Sequence, residues 1–594
     1  MLRTHTCGEL NASFDGHEVT LCGWVQTTRD FGKFIFVDVR DRFGITQIAV
    51  DAESNPEAYA IARQLGREFV VQAKGQVKRR SNPNPNIPTG EVEVIPQSLS
   101  ILNTSEVPPF KIENETDGLE ELRMQYRYLD IRRPAIASNL VLRAQMVKAV
   151  REYLDANGFL EIETPNLIKS TPEGARDFLV PSRLQPGSFY ALPQSPQILK
   201  QLLMVAGMDR YYQIVKCYRD EDFRGDRQPE FTQIDCEMSF VEQEDILQMF
   251  EGMTKSVFKK IGNIDLPDFR RITYREAIEK YGTDKPDLRF EMEMVDLSGV
   301  IHEQLSVKTE PFVVFKKVLE SKGLVTAIKA PKASGWTRKD LDSLTDFVKA
   351  PHRGATGLIW VRYAEDGTLK SSVDKFFSEE DLKEWARAVQ AEPGDMAFLL
   401  AGEVAQTRKV AGDLRLELGT RLGLRQAGKW SLLWVVDFPM FETDPETGEL
   451  IFVHHPFVSP HPEDIHLLDS RPEQARALCY DMVMNGNEIV SGSVRIHRKD
   501  VQDKIFGILG LSEEEKQNKF GFLLNAFKYG APPHAGCAFG LDRWVMLMAG
   551  GESIRDVIAF PKNSSGRDLM MDAPAPVPDK ALAEVGVQVR AALS

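Results

Sequence analysis

Short stretches rich in apolar residues fill the first part of the chain, and apolar and polar positions alternate towards the end of residues 34–40. This alternation has the period of a half-buried β-strand, whose successive side chains point to opposite faces. Five such stretches lie at residues 19–25, 34–40, 45–50, 69–77 and 91–95. Residues 41–44 read as the turn between the second and the third. The pattern predicts a small β-barrel over residues 1–103.

A different pattern follows the barrel. Residues 104–138 contain a proline pair and a run of charges, which predict a hinge. Apolar residues at helical spacing then predict a helix from Asn139 to Asn157, with Gly158 as its C-terminal cap. A short strand is predicted at 159–164, where a proline ends it.

Strand patterns predominate in two later parts of the chain, and a charged, more helical stretch separates them. Because this stretch has none of the phosphate-binding arrangements described below, we interpret it as an insertion. The chain is therefore predicted to be an α+β protein with several domains. The predicted segments are the barrel at 1–103, the hinge at 104–138, a larger domain at 139–289 and 427–560, the insertion at 290–426 and a C-terminal extension at 561–594.

Composition and length agree with that division. A chain of 594 residues is too long for one core, and roughly two to four domains are expected. No apolar run reaches the roughly 18 residues of a membrane span, and the N-terminus lacks the apolar core of a signal peptide. Six scattered cysteines without a CxxC pair argue for reduced thiols and against structural zinc. We expect a cytoplasmic protein with no zinc and no membrane contact.

Charge leaves nucleic acid open as a partner. The net charge of −14 argues weakly against a protein that coats nucleic acid, but it allows a local basic face. A five-stranded barrel is also the architecture of the OB-fold, which often binds single-stranded nucleic acid.

The most informative segment is a predicted β-hairpin. Its first strand carries Arg219 and Asp220, a charged turn follows, and its second strand carries Phe231 and Asp235. The fork of donors on an arginine matches phosphate oxygens, and an aromatic face suits a base. An isolated hairpin of this kind is more often a solvent-exposed element whose charges pair with one another.

A second segment changes that balance. Residues 536–543 form a glycine-rich stretch that we interpret as a strand ending in Arg543. Gly536 and Gly540 allow a ligand to approach the backbone closely. Together the two segments predict ATP held on a sheet by arginines, without a lysine-bearing phosphate loop.

These segments resemble a known family. The helix and strand before Pro165, the hairpin and the stretch at 536–543 resemble motifs 1, 2 and 3 of the class II aminoacyl-tRNA synthetases. Segments that resemble the bacterial-type aspartyl family of subclass b lie at 171–177, 194–197, 453–457 and 492–497. The resemblance covers essentially the whole chain. It implies an antiparallel catalytic sheet with flanking helices, an inserted α+β domain of GAD type, an N-terminal OB-fold and a homodimer formed through motif 1.

The resemblance implies a site for L-aspartate. The positions that match are Glu173, Ser195, Gln197, Lys200, Arg219, Asp235, His454 and Arg495. Arg495 and Lys200 are cations for the substrate's side-chain carboxylate, and Glu173 and Asp235 can receive its ammonium group. Glu173 resembles the acid of a mobile loop that closes over the amino acid.

The resemblance also implies sites for ATP and Mg²⁺. The ATP positions are Arg219, Asp220, Glu221, Gln228, Phe231, Glu488, Gly540, Leu541, Asp542 and Arg543. Asp481 and Glu488 are implied as magnesium ligands, since hard carboxylates and phosphate oxygens suit that ion. Arg219 and Arg543 are the implied catalytic residues, which act by stabilising charge and not as nucleophiles. Two ordinary surface acids remain the alternative for the carboxylate pair.

In the barrel, the resemblance places Arg29, Phe36 and Gln47 on the central base of a tRNA anticodon. An aromatic ring stacks on a base and an amide reads its edge. Without the resemblance, Phe36 would be interpreted as a core residue. The implied activity is ATP-dependent aspartylation of tRNA-Asp, with release of AMP and pyrophosphate. Charging of tRNA-Asn as well is the alternative.

Three other functions compete with this one. An enzyme of the same subclass could be specific for lysine or asparagine, but Arg495 and Lys200 oppose a cationic substrate. A silent paralogue that only binds RNA usually loses a motif arginine, and here Arg219 and Arg543 are both present. An amide-forming ligase such as asparagine synthetase would not need an anticodon-reading barrel.

Overall fold

A computed structural model describes residues 1–171, 174–221, 226–444 and 446–589. The chain forms two compact units, one of residues 1–142 with 555–576 and one of residues 143–554 with the chain after Pro576. Among the described residues, no helix has both the length and the apolar character needed to cross a membrane.

The first unit contains a closed five-stranded barrel in the order β1-β2-β3-β5-β4. Its strands are β1 (Glu18–Asp30), β2 (Phe34–Arg40), β3 (Ile45–Asp51), β4 (Val70–Arg79) and β5 (Val92–Asn103), and its helices are α1 (Pro56–Ala62), α2 (Glu120–Gln125) and α3 (Arg127–Asp130). Inward apolar side chains such as Val37, Ile48 and Val71 are fully buried. The predicted barrel is confirmed, although β1 and β5 extend well beyond their predicted ends.

A long helix, α4 (Pro134–Ala156), leads from the first unit into the second. It begins five residues earlier than predicted, because Pro134 suits the first turn of a helix. Gly158, with φ +78°, follows its C-terminal end as the predicted cap requires. The strand predicted after it is reduced to two residues, which pair in parallel with Tyr211 and Tyr212.

The second unit is built on strands and helices that alternate along the chain. Its strands are β6 (Leu160–Glu161), β7 (Leu179–Pro181), β8 (Phe189–Ala191), β9 (Arg210–Tyr218), β10 (Glu230–Ser239), β11 (Arg270–Thr273), β12 (Met294–Asp296), β13 (Leu324–Ala330), β14 (Ile359–Tyr363), β15 (Leu369–Ser371), β16 (Met396–Gly402), β17 (Leu432–Pro439), β18 (Phe441–Thr443), β19 (Leu450–Phe452), β20 (Arg476–Met484), β21 (Asn487–Val494) and β22 (His534–Gly540). Its helices are α5 (Gln197–Val205), α6 (Gln243–Gly262), α7 (Tyr274–Tyr281), α8 (Ser298–Ser306), α9 (Val313–Glu320), α10 (Arg338–Lys349), α11 (Glu379–Ala388), α12 (Val404–Arg421), α13 (Lys499–Ile508), α14 (Glu513–Phe527), α15 (Leu541–Met548) and α16 (Asp579–Glu584). Short 3₁₀ helices lie at Ala12–Phe14, Pro462–Asp469, Pro472–Gln474 and Ile554–Val557.

An eight-stranded sheet carries the candidate site, in the order β11-β17-β20-β21-β22-β10-β9-β6. Its neighbouring strands are antiparallel except for the outermost pair at each edge. The predicted antiparallel sheet is therefore confirmed for its six central strands, β17 to β9.

A separate five-stranded sheet, in the order β12-β13-β16-β14-β15, lies between β11 and β17 along the chain. Two apolar cores pack its faces, one around Trp385 and the other around Phe398. Its strands and the helices α8 to α12 fall inside the stretch 290–426 that the sequence pattern marked as an insertion.

Arg543 lies in a different element from the predicted one. The strand β22 ends at Gly540, and Arg543 is in the first turn of α15. Gly540 takes the position before the helix, and the acidic Asp542 suits the helix N-terminus. The arginine therefore projects from a helix start and not from a strand end.

Candidate active site

A cavity of about 500 Å³ opens in the second unit where β10, β21 and β22 lie side by side. Most of the predicted ATP residues line it: Arg219, Glu221, Gln228, Phe231, Glu488, Gly540, Asp542 and Arg543. Asp220 and Leu541 do not. Leu541 is buried at the start of α15, and the backbone amide of Asp220 donates to Arg176. The polar residues Gln233, Lys285 and Ser491, which the sequence did not single out, also line the cavity.

Arg219 is the first residue after β9, at the loop end of the hairpin. Its backbone amide donates to Pro229, which continues the strand pairing past the end of β9. The guanidinium carbon lies 5.1 Å from the centre of the Phe231 ring, within the range of a cation–π contact. Its Nε atom is buried and has no hydrogen-bond partner among the described residues. This donor is therefore fixed in place and available to a ligand.

The two residues at the start of α15 differ in what they can offer a ligand. Arg543 donates to the carbonyl of Glu488 at 2.6 Å and lies 3.5 Å from Asp226. Both oxygens of Asp542 are already engaged, one by Arg143 and one by the backbone amide of Thr232. Asp542 therefore fastens the helix to the sheet, whereas Arg543 faces the cavity.

Two carboxylates lie on adjacent strands beside the cavity. Asp481 on β20 pairs across the sheet with Ser491, and Glu488 is near the start of β21. Burial, and then repulsion from Glu488, raises the pKa of Asp481 well above its ordinary value. Oδ1 of Asp481 is buried without a hydrogen-bond partner in the described part of the chain. A buried oxygen that lacks a partner, next to a second carboxylate, fits a hard divalent cation.

A buried ionic cluster lies deeper in the sheet. Lys200 Nζ is 2.7 Å from Asp235 Oδ1 and 3.2 Å from Glu237 Oε2. Arg495 donates to both oxygens of Glu237, from Nε at 2.9 Å and from Nη2 at 3.1 Å. All four side chains are at most 2% exposed. Both predicted aspartate-binding cations therefore already have carboxylate partners, and one of these partners, Glu237, is not among the predicted site residues.

The two carboxylates of this cluster differ in acidity. Burial raises the pKa of Asp235 above its ordinary value even though Lys200 opposes it. Burial acts in the same direction on Glu237, but Arg495 and then Lys200 outweigh it and hold the pKa of Glu237 at about 2. Oδ2 of Asp235 is buried and has no partner among the described residues. The cluster thus keeps one acceptor for a ligand.

Two neutral histidines border the cluster. Burial lowers the pKa of His454 to about 4, with Asp284 opposing the change and Arg495 adding to it. Burial and the neighbouring Arg495 hold the pKa of His455 well below its ordinary value. Arg495 Nη1 donates to His455 Nε2 at 2.9 Å. Both rings are therefore uncharged at neutral pH.

The helix α5 presents one polar face to the cluster. Gln197, Lys200 and Gln201 lie three and four residues apart, which places them on one side of a helix. Gln197 hydrogen-bonds Gln201 at 3.3 Å, and its backbone amide donates to Ser195. Glu173 lies outside the described residues.

Strand alternation could have identified the residues that the sequence analysis missed. Phe231, Gln233, Asp235 and Glu237 are spaced by two along β10 and therefore share a face. They lie against Gly540, Ala538 and Gly536 of β22. A Cβ atom at Gly536 would lie 2.0 Å from Glu237 Oε2, whereas no atom lies closer than 4.0 Å to one at Gly540. Gly536 makes room for the buried carboxylate, and Gly540 leaves room for a ligand.

In the first unit, the three predicted anticodon residues lie together. Arg29 is the cross-strand neighbour of Phe36, and it donates to Gln47 Oε1 at 3.0 Å. Gln47 in turn donates to Glu93 at 2.7 Å. Phe36 is half-buried and contacts Phe31, which is 69% exposed. The exposed Phe31 ring can stack a base, whereas Gln47 is only 4% exposed and Arg29 is also paired with Asp38 at 2.8 Å.

Comparisons with known proteins match both units. The family described as tRNA synthetases class II (D, K and N) matches residues 119–564, and the OB-fold nucleic acid binding domain matches residues 19–102. An aspartate–tRNA ligase of Porphyromonas gingivalis is 56% identical over 592 residues, 99% of each chain. Another, from Flavobacterium psychrophilum, is 54% identical over 590 residues, 99% of this chain and 100% of its own.

Solved structures resemble the fold at much lower identity. Asparaginyl-tRNA synthetase from Pyrococcus horikoshii, complexed with asparaginyl-adenylate, is 20% identical with a TM-score of 0.60 and covers 94% of this chain and 98% of its own. A putative aspartyl-tRNA synthetase from Leishmania major is 17% identical with a TM-score of 0.58 and covers 97% and 94%. At such identities the likeness concerns the fold alone.

Proposed function

The chain belongs to the class II tRNA synthetases, and on that basis we propose that it is an aspartate–tRNA ligase. It activates L-aspartate with ATP and transfers the aspartyl group to the 3′ end of tRNA-Asp, releasing AMP and pyrophosphate. The observation that carries the choice of amino acid is the buried cluster of Arg495, Lys200, Asp235 and Glu237 beside the cavity.

The hydrogen-bond donors and acceptors of this cluster that are unpaired among the described residues suit aspartate. Arg495 has five N–H donors, and Glu237, His455 and Ser493 account for four hydrogen bonds. One donor therefore remains for the substrate's side-chain carboxylate, and Asp235 Oδ2 remains for its ammonium group. A lysine side chain would instead bring a third cation against Arg495 and Lys200. The uncharged His454, whose Nε2 lacks a partner in the described residues, can add a neutral hydrogen bond.

We assign ATP to the adjacent cavity. Phe231 offers a ring face for adenine, and Arg219 and Arg543 offer donors for phosphate oxygens. Asp481 and Glu488 would hold Mg²⁺, which supplies positive charge to the phosphates when it is bound. The buried, unpaired oxygen of Asp481 supports this assignment.

The reaction needs no nucleophilic side chain. In the first step an α-carboxylate oxygen of aspartate forms a bond to the α-phosphorus, and pyrophosphate leaves with the electron pair of the broken P–O bond. In the second step a hydroxyl of the terminal ribose attacks the aspartyl carbonyl, and AMP leaves. Arg219 and Arg543 orient the phosphates and stabilise the developing charge. The buried cysteines near the site, Cys236 and Cys537, have raised pKa values and are poor nucleophiles.

The barrel supplies the contact with tRNA in this proposal. Arg29, Phe36 and Gln47 read the anticodon of tRNA-Asp, while the cavity receives the acceptor end. No contact among the described residues favours tRNA-Asn as a second substrate.

We also propose a homodimer formed through the motif 1 segment. Leu160, Leu167 and Leu179 lie in or soon after that segment, and each is more than half exposed. A homodimer formed there would remove these apolar side chains from water. Light scattering on the purified protein should give twice the chain mass of 67.0 kDa, and a monomeric mass would contradict the proposal.

The proposed activity is tested by amino-acid-dependent exchange of pyrophosphate into ATP. Aspartate should support exchange, whereas asparagine and lysine should not. Aminoacylation of purified tRNA-Asp and tRNA-Asn, side by side, then tests the choice of tRNA. Exchange driven by lysine or asparagine instead of aspartate would overturn the substrate assignment.

A further inference from the structure

One cation in the cavity has no role in the proposed site. Lys285 follows α7, and its exposed side chain lines the same cavity as Arg219 and Arg543. The Lys285 side chain makes no ion pair or hydrogen bond with the described residues. The three arginines of the cavity, Arg219, Arg227 and Arg543, each contact protein groups. Lys285 therefore shares the cavity with Glu488 and is free to meet a ligand.

The loop that bears Lys285 approaches from the far side of the cavity. Asp287, two residues later, packs against the turn between β20 and β21, where a Cβ atom at Gly486 would lie 3.2 Å from Asp287 Cβ. In the sheet order, β20 and β21 lie on one side of β22, and β10 lies on the other. Lys285 is thus on the side of Asp481 and Glu488, across the cavity from the hairpin that carries Phe231.

A buried arginine of the inserted segment fixes this loop. Arg415 on α12 is 1% exposed, and it donates to four backbone carbonyls, those of Met292, Asp287, Phe290 and Glu291, at 2.8–3.1 Å. Its guanidinium lies 4.2 Å from the ring centre of Phe290 and 4.9 Å from that of Tyr281. Burial lowers the pKa of Arg415 to about 10, so it stays charged at neutral pH. The last helix of the insertion therefore holds the loop backbone in one conformation.

We propose that Lys285 binds the β- and γ-phosphates of ATP, the pyrophosphate that leaves in the first step, and that Arg415 is the positioning residue that holds its loop. This rests on the proposed function, because ATP is assigned to the cavity there. If adenine lies at Phe231, a cation on the opposite side faces the other end of the nucleotide. When the P–O bond breaks, pyrophosphate takes the electron pair, and the ammonium group of Lys285 balances the added charge.

The first test replaces Lys285 by methionine and by arginine and measures aspartate-dependent pyrophosphate exchange. Lys285→Met removes the charge at nearly constant length, and it should lower the rate of exchange by roughly 10- to 100-fold, with raised KM values for ATP and pyrophosphate. The KM for aspartate should stay within twofold. Lys285→Arg should restore most of the rate. Lys280→Met, in the same segment but at surface contacts with Glu276 and Glu293, is the matched control and should resemble the wild type.

The second step of the reaction separates this inference from a general loss of activity. Transfer of the aspartyl group from preformed aspartyl-adenylate to tRNA takes place after pyrophosphate has left. Lys285→Met should therefore leave that transfer unchanged. If wild-type protein shows no aspartate-dependent exchange, the proposed function itself fails. If the wild type is active and Lys285→Met exchanges within twofold of it, or loses transfer equally, only the role of Lys285 is refuted.

The positioning role of Arg415 is tested by combining substitutions. Arg415→Met should raise the KM for ATP and pyrophosphate but not that for aspartate. The double variant with Lys285→Met should be no slower in exchange than Lys285→Met alone, because both act through one ammonium group. If the losses in exchange rate from the two substitutions multiply in the double variant, the positioning role of Arg415 is refuted. If Arg415→Met does not fold, Arg415→Lys, which keeps the charge but fewer of the four hydrogen bonds, should give the same selective rise in KM, and an unchanged KM would count against the role.

Discussion

The substitution Glu237→Gln tests the buried ionic cluster directly. It keeps the shape of the side chain but removes the charge that faces both Arg495 and Lys200. Because Glu237 is fully buried, no solvent compensates the two cations. Breaking a buried ion pair typically costs about 3–5 kcal/mol. The lowered pKa gives a similar figure: from 4.5 to about 2 corresponds to about 3 kcal/mol in favour of the ionised, folded state.

The expected loss depends on pH in a definite direction. A carboxylate whose pKa is lowered by folding stabilises the protein above its unfolded pKa, and this contribution disappears as pH falls through the folded value. The difference in unfolding free energy between wild type and Glu237→Gln should therefore have its maximum value at pH 7. It should shrink between pH 4.5 and about 2.

Urea denaturation followed by circular dichroism at several pH values measures this difference. Glu303→Gln, at an exposed carboxylate of the inserted segment, is the control and should change stability by less than about 0.5 kcal/mol. A loss under about 1 kcal/mol at pH 7 would refute the reasoning, because the cluster would then not depend on this charge.

Four further substitutions test the active site and the barrel surface separately. Arg495→Leu should weaken the use of aspartate by roughly 2–5 kcal/mol in kcat/KM while the KM for ATP changes little, and equal losses for both substrates would contradict its role. Phe36→Ala should raise the KM for tRNA-Asp by the roughly 1–3 kcal/mol of one stacked base and leave pyrophosphate exchange intact; a matching loss of exchange would argue for a core role. Gly536→Ala should destabilise the protein, since its Cβ would lie 2.0 Å from Glu237, whereas Gly540→Ala should fold normally; thermal unfolding of the two variants compares them, and equal stability would contradict the steric argument.

Local patterns predicted much of the fold but only part of the site. Short apolar-rich stretches located all five barrel strands because their apolar side chains form the barrel core. Strand alternation, applied along β10, would have found Gln233 and Glu237. The helix that carries Arg543 was missed because Gly540 reads equally well within a strand or before a helix.

Other parts of the site have no local signature. Lys285 reaches the cavity from a loop that lies far from Glu488 in sequence, and Arg415, which hydrogen-bonds that loop, lies beyond the inserted sheet. Such contacts are set by tertiary packing alone. The resemblance supplied the roles of Arg495 and Lys200, but it did not reveal that both are already paired with carboxylates.

The pairing of β10 with β22 has a consequence for synthesis of the chain. Cys236 on β10 and Cys537 on β22 are direct neighbours across these strands. The cavity therefore forms only after both strands have left the ribosome, and β22 leaves it much later than β10. At roughly 5–20 residues per second, the interval is on the order of 15–60 seconds. During that time β10 has an open edge, and such edges readily pair with other chains. The nascent protein is therefore most prone to aggregate before β22 emerges, and chains truncated before that strand should fail to retain ATP.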